Sequence, residues 1–431
     1  MKILLITYTF LPDTTPRSMR WSQLKNHWQR EGHEVHVITA SSSDLNDISQ
    51  EQNIVRVKEN YIGKIRKKII LKGNTNSDEN IAADKRFKFL GYIFKSILSK
   101  IYKFSLKSFQ WPDYAWTWIL SSRKEIKAYV DKSGPFDMMI SVSHPFSSHL
   151  VAYFIKKDLP HLRWIVDIGD PFCFLDEAQP NNFKIYESLN KKVEGKIMDT
   201  CESISVTTDE TKQEYSRIFP NLRDKINVIP PLVDEKSFEL IDISKQSKNK
   251  TSDSIKLVYT GTLYSKIRNP FYFLDILEEV AKLSKREIEM HFFGLTNDLN
   301  ISSLPSFSFK LNFHGEVPKE KINTEILSAN ILVNLGNSTY YQLPSKLVDY
   351  SSYGKPILNI SSIENDSSSS FLEEYSNSLN VNTKKELQKK DYEIICSFIE
   401  NENVLSINQV IDFLEDYRLE AISDSYKNLF N

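Results

Sequence analysis

The chain has 431 residues, a length that exceeds one ordinary domain and favours two large ones. Hydrophobic residues make up 40% and charged residues 26%, which is typical of soluble globular proteins and excludes an intrinsically disordered chain. Cys173, Cys201 and Cys396 are too scattered for a disulfide framework or a zinc site, so we expect a reducing, cytoplasmic environment. No stretch approaches the roughly 18 consecutive apolar residues of a membrane span.

The first half of the chain alternates apolar strands with helical patterns. A strand over 2–7, a helix over 17–31 and a strand over 35–39 form one β-loop-α-β unit, the element from which parallel sheets are built. Further strands are predicted at 136–141, 163–167, 203–207 and 226–229. The sum is a doubly wound parallel sheet.

A basic segment interrupts this order. Between Arg56 and Lys107 there are 14 Lys/Arg and 4 Asp/Glu, a local charge of +10 that leaves −11 for the remainder of a chain whose net charge is −1. Within 84–118, apolar side chains recur at helical spacing, lysines gather away from them and tryptophans follow. These residues are Leu90, Phe94, Ile97, Ile101, Phe104; Lys88, Lys95, Lys100, Lys103, Lys107; and Trp111, Trp116, Trp118.

The coincidence of an apolar stripe, positive charge and aromatic residues predicts a helix that lies on an anionic membrane surface. Two alternatives stay open. The helix could pack its apolar stripe on the domain core and keep a solvated basic face, or the basic surface could meet nucleic acid, for which the sequence has no recognisable motif.

A polar stretch over 232–254 predicts an exposed linker, after which a second α/β series begins. Strands are predicted at 255–259, 289–293, 311–313, 331–334 and 357–360, with helices at 269–284, 318–329 and 345–353. An amphipathic helix is predicted over 407–430. Two Rossmann-like halves in tandem imply a ligand cleft between them.

Two segments of the second half are candidates for a diphosphate site. Gly261 and Thr262 follow its first strand, where an α/β sheet places its ligand, and Lys266 and Arg268 offer fixed positive charge. The other segment is the predicted helix start at Pro344.

At that helix start, Ser345 and Lys346 would present free backbone amides to an anion. Asp349, about one turn later, could accept hydrogen bonds from sugar hydroxyls. An ordinary capped helix would have the same pattern.

Polar residues also follow strands of the first half. Asp167 and Asp170 could orient an acceptor hydroxyl or accept its proton, although either could simply cap the next helix. His144 follows another strand and is either part of the site or structural. Arg17 and Arg20 flank the first loop, where phosphate groups of the donor or the acceptor could meet them; Arg17 is predicted to bind the donor, and Arg20 could instead lie on a solvated face.

The order and spacing of several motifs resemble the glycosyltransferases of the GT-B fold, close to the large family four of retaining enzymes. The resemblance covers nearly the whole chain. Its motifs are Pro12, Pro16 and Arg17; Gly32 to Val35; Trp164, Asp167, Asp170 and Pro171; Ile229 and Pro230; Gly261 to Leu263; His314, Gly315 and Pro318; Pro344, Ser345, Lys346, Asp349 and Tyr350; Gly354 and Pro356.

The resemblance implies that the first domain, at 1–231, binds the acceptor and that the second domain, at 255–405, binds the donor. The basic segment at about 56–118 is the expected membrane-facing insertion of the first domain, and the helix within 406–431 could pack back on that domain. A nucleoside-diphosphate sugar would be the donor, a lipid-linked or polysaccharide glycan at the cytoplasmic membrane face the acceptor, and neither a metal ion nor another cofactor would be needed. The sequence has no His/Asp/Glu cluster at metal-ligand spacing, which agrees with this.

By the same resemblance, Lys266 and Arg268 would neutralise the diphosphate, the amides of Ser345 and Lys346 would support it, and Asp349 would hold the ribose. Many family members have a glutamate eight residues before the position of Asp349, and this chain has Tyr341 there. That departure leaves a non-catalytic scaffold with a degenerate donor site open as an alternative. Since relatives of the GT-B fold also epimerise nucleotide sugars, a nucleotide-sugar epimerase is a second alternative.

Overall fold

A computed structural model describes residues 1–13, 15–41, 53–58, 109–175, 179–241, 253–265, 268–297 and 299–430. The predicted membrane helix with its lysines, and Lys266 of the predicted donor site, lie outside the described residues. The chain divides into two compact units. The first comprises Met1–Val206, Tyr215–Val228 and Tyr426–Asn431, and the second Thr207–Glu214 and Ile229–Ser425.

The first unit contains a parallel sheet of seven strands in the order β3-β2-β1-β4-β5-β6-β7. The strands are β1 Lys2–Thr7, β2 Glu34–Ala40, β3 Ile54–Val57, β4 Met138–Val142, β5 Arg163–Asp167, β6 Ser203–Val206 and β7 Ile226–Val228. The central strands are buried along their length because helices cover both faces. The helices are α1 Pro16–Arg30, α2 Trp116–Ser133, α3 Ser147–Asp158 and α4 Phe183–Thr200. Helix α5, Asp209–Ile218, begins among residues of the second unit and ends among those of the first.

The second unit contains a parallel sheet of six strands in the order β10-β9-β8-β11-β12-β13. The strands are β8 Ser254–Thr260, β9 Glu287–Phe293, β10 Lys310–Phe313, β11 Ile331–Leu335, β12 Ile357–Ser361 and β13 Ser378–Asn382. The helices are α6 Phe271–Leu283, α7 Lys319–Ser328, α8 Ser345–Ser351, α9 Ser367–Glu373, α10 Lys389–Glu400, α11 Ile407–Phe413 and α12 Leu419–Asn428.

The predicted α/β architecture of two tandem Rossmann-like sheets is confirmed. The strand order reverses between β1 and β4 in one sheet and between β8 and β11 in the other. Ligands of open α/β sheets bind outside the carboxyl ends of the strands at such a reversal. A ligand site is therefore expected at the loops that follow these four strands.

Three local predictions differ from the structure. The helix predicted over 407–430 is broken into α11, a 3-10 turn at Glu415–Tyr417 and α12. The start of the predicted linker is packed, with a 3-10 turn at Glu235–Leu240 whose Phe238 is buried in the second unit. Trp118 is fully buried in the core of the first unit, so it is not an interfacial tryptophan.

Candidate functional site

The loop after β8 approaches its neighbours closely. Gly261 has a φ of +132°, and its amide donates to the Phe293 carbonyl at 2.7 Å. A Cβ on Gly261 would lie 3.5 Å from the Tyr259 hydroxyl and 3.6 Å from the Lys346 Nζ. The backbone conformation, more than the space, requires glycine here. Thr262 lies in the same loop, and its carbonyl accepts from the Tyr259 hydroxyl at 3.4 Å.

Lys346, on the first turn of α8, points at this loop. Its Nζ donates to the Thr260 carbonyl at 3.3 Å and lies 3.7 Å from the centroid of the Tyr259 ring. Burial, and then the positive charge of Arg268, lower the pKa of Lys346 well below its ordinary value. Without a bound anion the ammonium group is therefore poorly compensated, and an anionic ligand would restore its charge.

Arg268 is held by a residue that sequence reasoning missed. Its Nε and Nη2 both donate to the Asn337 Oδ1, at 3.2 and 3.0 Å. Asn337 follows β11, is 7% exposed, and donates from its own amide to the Gln342 carbonyl at 3.1 Å. Asn337 thus fixes the guanidinium across the strand reversal between β8 and β11. The signal for it was its position, directly after the strand that pairs with β8.

Helix α8 is anchored to the end of β8. The Thr260 amide donates to the Tyr350 hydroxyl at 2.7 Å, and the Thr260 hydroxyl lies 2.9 Å from the same oxygen. Pro344 is the N-cap, and Ser345 is exposed at the first position. Because α8 has only seven residues, its dipole is small, so the side-chain cations Lys346 and Arg268 supply most of the positive charge.

Asp349 is exposed at the surface and close to Asp234. The surrounding protein atoms, and then the negative charge of Asp234, raise the pKa of Asp349 to about 6, while Lys319 acts in the opposite direction. Lys319 also pairs with Asp234 at 3.6 Å. Because the Asp349 side chain also reaches solvent, water reduces part of this rise in its pKa. A carboxylate in this setting gains from a hydrogen-bond donor such as a ribose hydroxyl.

Tyr341, at the position of the family glutamate, is 2% exposed. Its carbonyl accepts hydrogen bonds from the hydroxyls of Thr208, at 2.8 Å, and Thr211, at 2.6 Å. The preceding Tyr340 donates its hydroxyl to Glu214 at 2.9 Å. Hydrogen bonds to Thr208, Thr211 and Glu214 therefore hold this segment in place. Tyr341 offers no carboxylate to a donor sugar.

In the first unit, Asp167 is a buried hub. Its Oδ1 accepts from the Ser205 and Tyr426 hydroxyls at 2.7 and 2.8 Å, and its Oδ2 from Arg17 Nη1 at 2.9 Å and Trp21 Nε1 at 3.1 Å. Burial alone would raise the pKa of Asp167, but the charge of Arg17, that of Arg20 and these hydrogen bonds lower it. A carboxylate with four donors and a lowered pKa is a weak base, and it orients Arg17.

The other predicted residues of this unit lie at the same sheet edge. Asp170 is exposed after β5, and His144 is half-buried after β4, its ring centroid 5.4 Å from that of Tyr114. The Arg17 guanidinium covers Gly169, where a Cβ would lie 2.0 Å from Nη2. Arg20 is not on a solvated face, since it is 4% exposed and donates to the Tyr426 hydroxyl at 3.1 Å. The structure thus brings Arg17, Asp167 and the turn before Asp170 together.

The described residues contain no group of three or more His, Cys, Asp or Glu side chains arranged to hold a metal ion. The predicted independence of a metal stays a prediction.

The sequence matches no protein-family model and no curated protein. Solved structures do match. The Anabaena protein HepE in complex with UDP-glucose has a TM-score of 0.58 and 9% identity, over 100% of this chain and 99% of that one. A Rickettsia africae glycosyltransferase has a TM-score of 0.54 and 14% identity, over 100% and 97%. The Candida albicans trehalose-6-phosphate phosphatase N-terminal domain has a TM-score of 0.64 and 11% identity, over 100% and 96%.

Identities this low show a shared fold and nothing finer. The likeness extends over whole chains, so it includes both sheets and their connection in sequence. Together with the two parallel sheets of Rossmann order, it shows that this chain has the two-domain GT-B fold.

Proposed function

We propose that the protein is a glycosyltransferase that uses a nucleoside-diphosphate sugar. The observation that carries the proposal is the convergence of Gly261, Arg268 and Lys346 at the strand reversal of the second sheet, with Asp349 three residues after Lys346 on α8. Lys346 with its poorly compensated charge, the Arg268 guanidinium beside it, a glycine loop and a carboxylate that gains from a donor match the diphosphate and ribose of one ligand. The UDP-glucose bound to HepE, a protein of the same fold, supports this ligand class.

In this proposal Arg268 and Lys346 stabilise the negative charge that develops on the departing diphosphate. Fixed cations can do this without a metal ion, because they are already oriented when the charge appears. Lys266 and the amides of Ser345 and Lys346 would add to the same site. Asp349 would bind the ribose hydroxyls.

We place the acceptor on the first unit, near Arg17, His144 and Asp170. Asp170 is exposed and is the better candidate to receive the proton of an acceptor hydroxyl, because Asp167 is saturated by its four donors. The acceptor class, a lipid-linked or growing glycan at the cytoplasmic membrane face, and a retaining outcome follow from the family resemblance. The basic segment supports the membrane part.

The test is binding of UDP, GDP and their glucose conjugates to the full chain, measured by thermal shift and calorimetry with EDTA present. A specific ligand raises the melting temperature by mass action. Arg268→Ala should abolish the shift, whereas Arg223→Ala, which removes an exposed arginine of the first unit, should leave it unchanged. A shift that needs a divalent cation, or that survives Arg268→Ala, would contradict the proposed site.

The scaffold alternative has one observation in its favour, the packed Tyr341 where the family has a glutamate. Hydrolysis or transfer from a bound donor excludes a scaffold. Conversion of the donor sugar to its epimer without any acceptor would instead favour the epimerase. Release of free nucleoside diphosphate that requires an added glycan acceptor supports the transferase.

A further inference from the structure

A groove on the first unit has no part in the site described above. It lies between α2, α3 and α4 and has a volume of about 370 Å³, in the range of small-molecule pockets. Its walls are mainly apolar and aromatic, with Trp111, Trp116, Leu120, Leu150, Phe154 and Val193 among them. The only charged side chains among the described residues that line it are Lys157 and Lys196.

The apolar surface continues beyond the groove. Ile185 and Leu189 on α4 are 54% and 40% exposed, and their spacing of four residues continues to Val193 on the same helix face. Leu120 is 68% exposed and Phe109 is 67% exposed. The Phe109 carbonyl accepts a hydrogen bond from the hydroxyl of Tyr186 on α4 at 3.0 Å. Four of the five exposed large apolar side chains described in the first unit therefore gather here. Such patches on soluble proteins mark binding surfaces.

Three cations border the groove. The Nζ atoms of Lys157 and Lys196 lie 5.0 and 5.9 Å from the centroid of the Tyr153 ring, and the Arg123 guanidinium carbon lies 4.8 Å from that of Phe154. All three cationic side chains are exposed. Their charges face solvent beside aromatic rings, an arrangement suited to the boundary between hydrocarbon and a charged headgroup.

These cations differ from their neighbours. Lys127 pairs with Asp158 at 3.7 Å and Lys156 with Glu202 at 2.7 Å. Within the described part of the chain, no carboxylate forms an ion pair with Arg123, Lys157 or Lys196. The rim of the groove is therefore positively charged, and no carboxylate of the described residues pairs with these cations.

We propose that this groove binds an acyl chain of an anionic phospholipid, with the headgroup phosphate against Arg123, Lys157 and Lys196. The apolar walls match the chain, and the uncompensated cations match the phosphate. A free anion would not need the walls, and a neutral apolar ligand would not need the cations. The inference deepens the proposed function, on which it rests, because it gives the transferase a built contact with the membrane that holds its acceptor.

Tryptophan fluorescence tests occupancy directly. Of the six tryptophans, Trp21, Trp28, Trp118 and Trp164 are at most 1% exposed, while Trp111 and Trp116 line the groove. Vesicles of phosphatidylglycerol with brominated acyl chains should quench part of the emission of the full chain. Trp111→Phe together with Trp116→Phe should remove most of that quenching. Brominated phosphatidylcholine should quench weakly.

Substitutions test the two halves of the surface separately. Leu120→Asn with Ile185→Asn should lower affinity for phosphatidylglycerol vesicles about tenfold, because both exposed side chains lose their apolar contact. Ile394→Asn, which changes a 46% exposed side chain of the second unit, is the matched control and should have no effect. Lys157→Gln with Lys196→Gln should lower affinity by a similar factor, and Lys124→Gln with Lys132→Gln, also exposed on α2, should lower it less.

Vesicle binding without tryptophan quenching would overturn the proposal, since another surface, such as residues 59–108, would then hold the membrane. Equal quenching by phosphatidylglycerol and phosphatidylcholine would overturn the role of the cations. A groove covered by the chain itself or by a second copy would also give no quenching, and the proposal would fall in that case too. Nucleotide binding, followed by thermal shift on the same samples, reports the proposed function independently of these outcomes.

Discussion

The carboxyl edges of the two sheets differ in how far their charged side chains are compensated by other groups of the protein. In the first unit, Asp167 accepts four hydrogen bonds and faces Arg17 and Arg20, so its charge is compensated within the protein. In the second unit, Lys346 rests on Tyr259 with its pKa lowered, and the Asp349 pKa is raised. Partial burial of the Lys346 ammonium beside the charge of Arg268 costs free energy, and an anionic ligand would remove that cost.

Glu194 shows that burial alone does not mark a site. It accepts from the amides of Phe172 and Cys173, at 3.1 and 2.8 Å, and from the Tyr215 hydroxyl at 2.6 Å. Burial raises its pKa, yet its contacts are structural, since they hold the loop after β5 and Tyr215 of α5 in place. Perturbed ionisation points to function only where the geometry also leaves room for a partner.

The largest expected effect is on stability and follows from removal of the Asp167 carboxylate. Asp167→Ala should lower the free energy of unfolding of the first unit by about 3–5 kcal/mol, because the buried Arg20 and the half-buried Arg17 lose the negative charge of Asp167. Urea denaturation followed by tryptophan fluorescence measures this, since Trp21 contacts Asp167 directly. Asp131→Ala, which breaks only an exposed pair with Lys127, should cost less than about 1 kcal/mol. Equal losses in the two variants would remove the contrast between the sheet edges.

Lys346→Met should weaken ligand binding without loss of stability, the converse of Asp167→Ala. Loss of a charge-assisted contact should weaken UDP binding by about 1.5–3 kcal/mol. Stability at neutral pH should stay the same or rise, because a lysine whose pKa is depressed in the folded state costs stability wherever the unfolded chain is protonated. Lys355→Met is the matched buried control. Lys355 donates to the Ala329 carbonyl at 2.6 Å away from the site, so its loss should lower stability and leave UDP affinity unchanged.

The same lysine predicts proton uptake. An anion beside Lys346 raises its pKa, so UDP binding should take up a proton at pH values above the depressed pKa of the free protein. Calorimetry in buffers of different ionisation enthalpy measures the number of protons. Uptake that persists in Lys346→Met would assign the proton to another group.

A smaller effect is expected from Asn337→Ala. The variant removes two hydrogen bonds to Arg268 and should weaken UDP binding by about 1 kcal/mol while the affinity for uridine, which lacks the diphosphate, stays constant. Asn380→Ala, an amide of the same sheet that accepts from Asn359 at 3.0 Å, is the control. A parallel loss of UDP and uridine affinity would mean that Asn337 does not act through Arg268.

Sequence reasoning located both sheets because their strands are apolar runs bounded by turns. The predicted strand at 163–167 coincides with β5, and most others differ by one or two residues. It missed β3 and β13, a four-residue strand at one sheet edge and a strand that consists largely of Ser and Asn. β3 is too short for its three apolar residues to form a recognisable pattern, and β13 has only two apolar residues. It joined α11 and α12 because an amphipathic period continues through the intervening 3-10 turn.

Most residues of the candidate site were predicted from the sequence, but the contacts between them were not. Gly261, Arg268, Lys346 and Asp349 follow from motifs near strand ends. The contact of Arg268 with Asn337 spans 69 residues in sequence, and the placement of Lys346 on Tyr259 also depends on strand pairing. The saturation of Asp167 depends on Tyr426, near the end of the chain. Sequence proximity carries no information on such contacts, so Asp167 was predicted as catalytic on position alone.

The smallest expected effect concerns Asp349, whose ionisation is affected by the charges of Asp234 and Lys319. Its folded-state pKa of about 6 lies above the ordinary value of 3.8, so the ionised carboxylate costs stability. Asp349→Asn should therefore stabilise the protein, with a gain that grows between about pH 4 and pH 6 and is constant above. Thermal unfolding at pH 5 and pH 7.5 measures it.

The same variant should weaken UDP binding, because a ribose hydroxyl donates better to a carboxylate than to an amide oxygen. In the unmodified protein that contribution should grow as the pH rises towards 6, where Asp349 becomes ionised in the free state. Lys346 has the opposite dependence, so the two are separated by comparing Asp349→Asn with Lys346→Met at each pH. A stability gain without loss of affinity would mean that Asp349 only repels Asp234, and the ribose would have to be held elsewhere.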